Sequence, residues 1–184
     1  MAVTPSTYVE IGSAAPPFTL PDTVSGEHLS LEALRGANGT VVMFICNHCP
    51  FVLHVNDELI RLANDYSARG IGFVAISSND AVAYPQDGPK RMKTHAERLG
   101  YPFPYLYDES QAVAKAYDAA CTPDFYVFDG ALKLVYHGQL DDSRPGNRKP
   151  VTGRDMRAAL DACLAGTAYA EPQKPSMGCN IKWK

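Results

Sequence analysis

The stretch "VVMFICNHCPFVLHVNDELIRLA" (Val41–Ala63) changes its period part-way through. The run Thr40–Ile45 is continuously apolar or β-branched, the pattern of a strand covered on both faces. From Phe51 to Arg69 the apolar residues Val52, Val55, Leu59, Leu62 and Tyr66 recur at helical spacing, and Gly70 is a natural stop. Two cysteines, Cys46 and Cys49, fall at the junction with His48 between them. Pro50 suits a first helical turn, where a backbone N–H has no partner in the helix anyway. The stretch therefore predicts a strand, a Cys-x-x-Cys and a helix in immediate succession.

The rest of the chain repeats the alternation. The Pro-rich residues 14–21 predict a short edge strand. A Ser25-Gly26 turn, a short strand and one helical turn follow. Residues 71–77 predict a second buried strand, 90–99 an amphipathic helix, 103–108 a strand and 109–120 a helix. Two strands around Asp129-Gly130 predict a hairpin, and 153–166 a final helix. Residues 167–184 show little periodicity and read as a C-terminal tail. The fold class expected is α/β, a mixed central sheet with helices on both faces, in one domain spanning 1–184. The cysteine pair would lie at the carboxyl end of a buried strand, where open α/β sheets place their chemistry.

A chain of 184 residues suits one domain with a real core. A net charge of −3 gives no push towards nucleic acid or anionic membrane. No apolar run approaches the ~20 residues that span a bilayer, and the opening residues do not read as a signal peptide. The expectation is a cytoplasmic protein. Five cysteines, an odd number with one close pair, do not make a secreted disulfide framework; in a reducing compartment such a pair points to redox or metal chemistry.

A thiolate is the reactive form of cysteine, and a helix N-terminus stabilises it. On this reading Cys46 lies near the N-cap as the more exposed and more acidic thiol, the nucleophile, and Cys49 is the buried resolver. His48 adds positive charge and lowers the thiolate pKa further.

Downstream, "CTPDFYVFD" (Cys121–Asp129) opens a strand on Pro123. Together with the strand, Cys-x-x-Cys and helix, this resembles the thioredoxin superfamily over roughly residues 14–166. The N-terminal β extension, the insertion around 79–107 and the length are similar to its redoxin branch, which holds the alkyl hydroperoxide reductase/thiol-specific antioxidant proteins. "CNHCPF", "SSND" with "YPQDGP" and the ending "SMGCNIKWK" resemble a bacterial group of stand-alone thioredoxin-like proteins. The resemblance implies a cis bond at Thr122–Pro123 facing the cysteine pair, with Thr122 offering its backbone to an extended substrate chain. Protein or small-molecule disulfides are the expected substrates, and without a nucleotide fingerprint or Gly-rich phosphate loop the expected electron donor is an external thiol or reductase, with no bound cofactor. There are departures. Ile45 replaces the usual Trp, Asn47-His48 replaces Gly-Pro, and Thr40–Ile45 has no counterpart of the buried acid beneath the pair.

Two other readings of the pair compete with this one. Peroxiredoxins resemble one another in Pro-x-x-x-Thr-x-x-Cys; counted back from Cys49 the places hold Cys46 and Val42, and from Cys46 they hold Met43 and Gly39. A peroxidase activity stays open as an alternative, since an acidic thiolate reacts with peroxide. A copper or zinc site would draw on Cys46, Cys49, His48 or His137 and a third thiol, but zinc wants four ligands. Cys121, two residues before Pro123, and Cys179 in the tail are candidate further redox thiols, Cys179 either as a second resolver or as a link between subunits. Cys163 reads as core, and His28, His54, His95 and His137 as surface or packing residues. Arg144, in the polar loop 141–150, reads as solvated. The expected activity is a thiol–disulfide oxidoreductase, monomer or homodimer, without nucleic acid or membrane partners.

Overall fold

The strand that leads into Cys46 is the centre of the molecule. In a computed structural model, which describes residues 3–184, the strand Gly39–Phe44 has all six residues buried. Numbered along the chain, the strands are β1 (Val3–Pro5), β2 (Thr19–Pro21), β3 (His28–Ser30), β4 (Gly39–Phe44), β5 (Ile71–Ser77), β6 (Tyr105–Tyr107), β7 (Cys121–Thr122), β8 (Asp124–Asp129), β9 (Leu134–Gly138) and β10 (Met177–Asn180). The α-helices are α1 (Leu31–Leu34), α2 (Pro50–Ser67), α3 (Pro89–Leu99), α4 (Ala112–Ala116) and α5 (Arg154–Ala165).

The main sheet has the order β6-β5-β4-β8-β9, with β4 parallel to β5 and antiparallel to β8. Successive residues of β4 face opposite sides. Val41, Met43 and Ile45 pack in one core cluster with Val52, Leu59, Leu62, Met92 and Leu160, from α2, α3 and α5. Val42 and Phe44 pack in a second with Val74, Leu106, Tyr117, Tyr126 and Leu31. This is the expected mixed sheet with helices on both faces, and double burial is why β4 reads as an unbroken apolar run.

The helix expected over 109–120 is cut to five residues, Ala112–Ala116. Gln111 before it and Asp118 after it both hold positive φ, at 64° and 53°. The buried Asp108 carboxylate accepts from the Ala114 amide at 2.9 Å, so a side chain supplies the partner an earlier helical turn would have given.

The larger departure is the tail. Residues 167–184 carry β10, which joins β1 and β7 in a second sheet of order β1-β10-β7, antiparallel throughout. Cys179 pairs with Thr122 and Asn180 with Cys121. Three short strands brought together from both ends and the middle of the chain leave no periodicity to read.

Candidate active site

Cys46 lies just beyond Ile45, which follows the last residue of β4, and the helix opens on Pro50 with Cys49 as its N-cap. This differs from the expected placement, in which Cys46 held the N-cap. The Thr122–Pro123 bond is cis, as the resemblance implied. The Thr122 side chain lies over the pair, its hydroxyl 3.5 Å from the Cys46 sulfur.

Both cysteines are buried, at 1% and 0% exposure, so Cys46 is not the exposed member. The two thiols are driven in opposite directions. The Cys49 thiol is lowered to about 5, chiefly by a hydrogen bond from Cys46, with further donors in Cys179 and the Val52 and Cys179 amides, against the opposing effect of burial. The Cys46 thiol is raised well above the ordinary range by donating to Cys49, by burial and by the charge of Asp87. One contact opposes ionisation of Cys49. The Thr122 carbonyl lies 3.2 Å from its sulfur and accepts from it only while it is a thiol. The N-cap position, at the positive end of the helix dipole, favours the thiolate.

Asp87 was not legible as a site residue. It is fully buried, 40 residues from Asn47, whose amide donates to its Oδ1 at 2.9 Å. Asn79 Nδ2 donates to Oδ2 at 2.8 Å, and His48 Nδ1 lies 2.6 Å from the same oxygen. His48 also stacks on Tyr84, with the ring planes 7° apart. The insertion thus places a carboxylate beside the pair, in a fold position where β4 carries none. His48 was expected to lower the cysteine pKa; with its ring engaged by Asp87, it is Asp87 that acts on Cys46, and in the upward direction.

Cys179 is buried, and its sulfur stands 2.7 Å from that of Cys49. Burial and the contact with Cys49 raise its thiol to about 12. Thr122 meets Cys46, and the sulfur of the preceding residue, Cys121, lies 3.7 Å from the Pro123 carbonyl. Burial and Asp124 raise the Cys121 thiol. Cys163 is half-buried against the Asn38 carbonyl. His54 is bound to Ser143 at 2.7 Å, and His137 to the buried Asp124 at 3.0 Å. Arg144 is spent on its own loop, donating to the Asp141 and Ser143 carbonyls at 2.6 Å.

For a metal, the arrangement differs from the set anticipated. His137 is tied to Asp124, and the one candidate cluster among the described residues is Cys46, His48 and Asp87, with donor atoms within 4.8 Å of one another. Three donors fall one short of structural zinc, and the carboxylate is already occupied by Asn47, Asn79 and His48.

The backbone edge expected to receive a substrate chain is also taken, since β10 pairs with β7 along Cys121–Thr122. Among the described residues no helix is long and apolar enough to cross a membrane.

A mixed sheet, a Cys-x-x-Cys at a strand-to-helix junction and a cis-proline against it define a thioredoxin-like protein with a redox function. The chain belongs to the AhpC/TSA family, whose profile matches residues 11–137. It is 29% identical over 143 residues to the thiol-disulfide oxidoreductase ResA of Geobacillus kaustophilus, covering 74% of this chain and 75% of that one. A crystal structure of a conserved protein from the same species is 62% identical with a TM-score of 0.98, covering 100% of this chain and 97% of that chain. The Sinorhizobium meliloti protein SMc02350 is 49% identical with a TM-score of 0.96, over 98% of both chains.

Proposed function

We propose that this protein is a thiol–disulfide oxidoreductase whose redox couple is Cys46 and Cys49, with Cys49 as the attacking thiolate. The observation that carries this is the placement of the pair at the strand-to-helix junction, with Cys49 as the N-cap of α2 and the cis Thr122–Pro123 bond against it. The Cys49 thiolate attacks a substrate disulfide, forming a mixed disulfide and releasing one substrate sulfur as a thiolate, which takes up a proton. Cys46 then loses its proton and attacks the Cys49 sulfur. The second substrate sulfur leaves, and Cys46–Cys49 is the oxidised product. Two electrons pass from the dithiol to the substrate. The His48–Asp87 pair, within 4.8 Å of the Cys46 sulfur, is positioned to take the Cys46 proton. An external thiol or reductase protein returns the pair to the dithiol, in a cytoplasmic setting.

The roles are the reverse of those suggested by the cysteine order alone. Small disulfides suit the site better than extended chains, because β10 already covers the Thr122 edge.

The test is reduction of a small aromatic disulfide by the reduced protein. Cys49→Ser should abolish the fast phase, whereas Cys46→Ser should retain one fast mixed-disulfide step at Cys49. Fast modification of Cys46 in the Cys49→Ser protein would restore the opposite order.

A second reading rests on the same thiolate. The chain is 28% identical over 117 residues to a Mycobacterium tuberculosis protein provisionally named as a peroxiredoxin, covering 64% of this chain and 69% of that one. Hydrogen peroxide turnover that exceeds disulfide reduction under matched conditions would favour peroxidase activity.

A further inference from the structure

We propose that Cys179 is a third redox thiol of this site, so that Cys49 exchanges between two internal disulfides, Cys46–Cys49 and Cys49–Cys179. This rests on the assignment of Cys46 and Cys49 as the couple.

The case begins with the register. Cys179 lies opposite Thr122 in an antiparallel pair, so the two side chains share one face. That face is the one on which Thr122 meets Cys46. The Cys179 sulfur reaches Cys49 at 2.7 Å, so the two thiols are in direct contact. Cys49 thus has a thiol partner on its own loop and another on β10.

The backbone is built for this approach. A Cβ at Gly178 would run into the Thr122 carbonyl, so only glycine lets β10 come this near to the cis-proline strand. The tail is anchored on both sides of Cys179. Ser176 Oγ donates to the Gly138 carbonyl at 2.6 Å and the Ile181 amide to the Ala120 carbonyl at 3.0 Å. The Lys182 amide donates to Asn79 Oδ1 at 2.8 Å, and Asn79 in turn holds Asp87. Cys179 is therefore held at the site through the same residues that place the carboxylate beside Cys46.

The exchange needs no added oxidant. Starting from the Cys46–Cys49 disulfide, Cys179 gives up its proton and attacks the Cys49 sulfur. The Cys49–Cys179 bond forms, the Cys46–Cys49 bond breaks, and Cys46 leaves as a thiolate that takes up a proton. One disulfide is present before and after. The consequence is that Cys46 becomes a free thiol again while the protein stays oxidised.

The test is disulfide mapping by mass spectrometry after oxidation with a small disulfide and acid quenching. Wild type should show both linkages. Cys46→Ser, with Cys46→Ala as a second variant, should lose two of its four remaining thiols to a Cys49–Cys179 bond. Cys179→Ser should show Cys46–Cys49 alone. Wild type showing only Cys46–Cys49, or no Cys49–Cys179 bond in folded Cys46 variants, overturns the inference and leaves the couple standing. Failure of Cys179→Ser to form Cys46–Cys49 instead overturns the couple itself. A Cys46–Cys179 bond in Cys49→Ser would show that the exchange does not run through Cys49.

Discussion

The Asp87 carboxylate lies 2.6 Å from the ring nitrogen of His48, so the inserted segment closes against the Cys-x-x-Cys loop from 39 positions away. Its charge works against ionisation of Cys46. Asp87→Asn should therefore move the Cys46 pKa downward. The measurement is the pH profile of Cys46 alkylation in a Cys49→Ser background, where the hydrogen bond to the neighbouring sulfur is gone. An unmoved profile would show that Asp87 does not act on Cys46. The asparagine also loses one of the two acceptors that now serve the Asn47 amide and Asn79 Nδ2, at a cost of about 1–3 kcal/mol in denaturant unfolding.

The low pKa of Cys49 has a consequence for stability. Its folded value of about 5 lies below the ~8.5 of an unfolded cysteine, so the folded state favours the thiolate. This contribution is complete above the unfolded pKa and is lost as pH falls towards 5. The reduced protein should therefore gain stability between about pH 5 and 8.5 relative to Cys49→Ser, by chemical denaturation across that range. The ultraviolet absorbance of a thiolate should titrate over the same low range and be absent from Cys49→Ser. A midpoint in the ordinary thiol range would contradict the donor arrangement around Cys49.

Gly178→Ala should loosen β10. The added methyl meets the Thr122 carbonyl, a backbone atom that cannot swing aside. Overpacking of this kind costs about 1–3 kcal/mol. The expected result is faster hydrogen exchange at β10 and faster alkylation of Cys179, with the β4 amides unaffected. Uniform protection like that of wild type would show that the strand accommodates the methyl.

His137→Ala should be costly without touching the cysteines. His137 is buried, paired with the fully buried Asp124 at 3.0 Å and stacked on Tyr126 at a centroid distance of 4.1 Å. Removing one member of a buried pair leaves the other uncompensated, at about 3–5 kcal/mol. Thermal unfolding measures the loss, and disulfide reduction at low temperature should persist. A melting temperature close to wild type would mean that the Phe125 amide and Tyr126 hydroxyl are enough for Asp124.

The fold was legible because its signals are local. The unbroken run before Cys46 marks a strand buried on both faces, and Val52, Val55, Leu59 and Leu62 mark the one face of α2. Residues 167–184 hid a strand because β10 is four residues long, and its half-buried pattern is decided by β1 and β7.

By itself, the sequence determined the layered α/β architecture and the cysteine pair at the strand-to-helix junction, through periodicity and what proline and glycine permit in the backbone. That a proline faces the pair was implied by the family resemblance. Only the tertiary structure decided which groups surround the two sulfurs. Acidity depends on burial, on the position of the helix N-terminus and on charges and donors a few ångströms away. Here those come from Asp87 in the insertion and from Cys179, 130 positions beyond Cys49. No spacing within the motif encodes either of them.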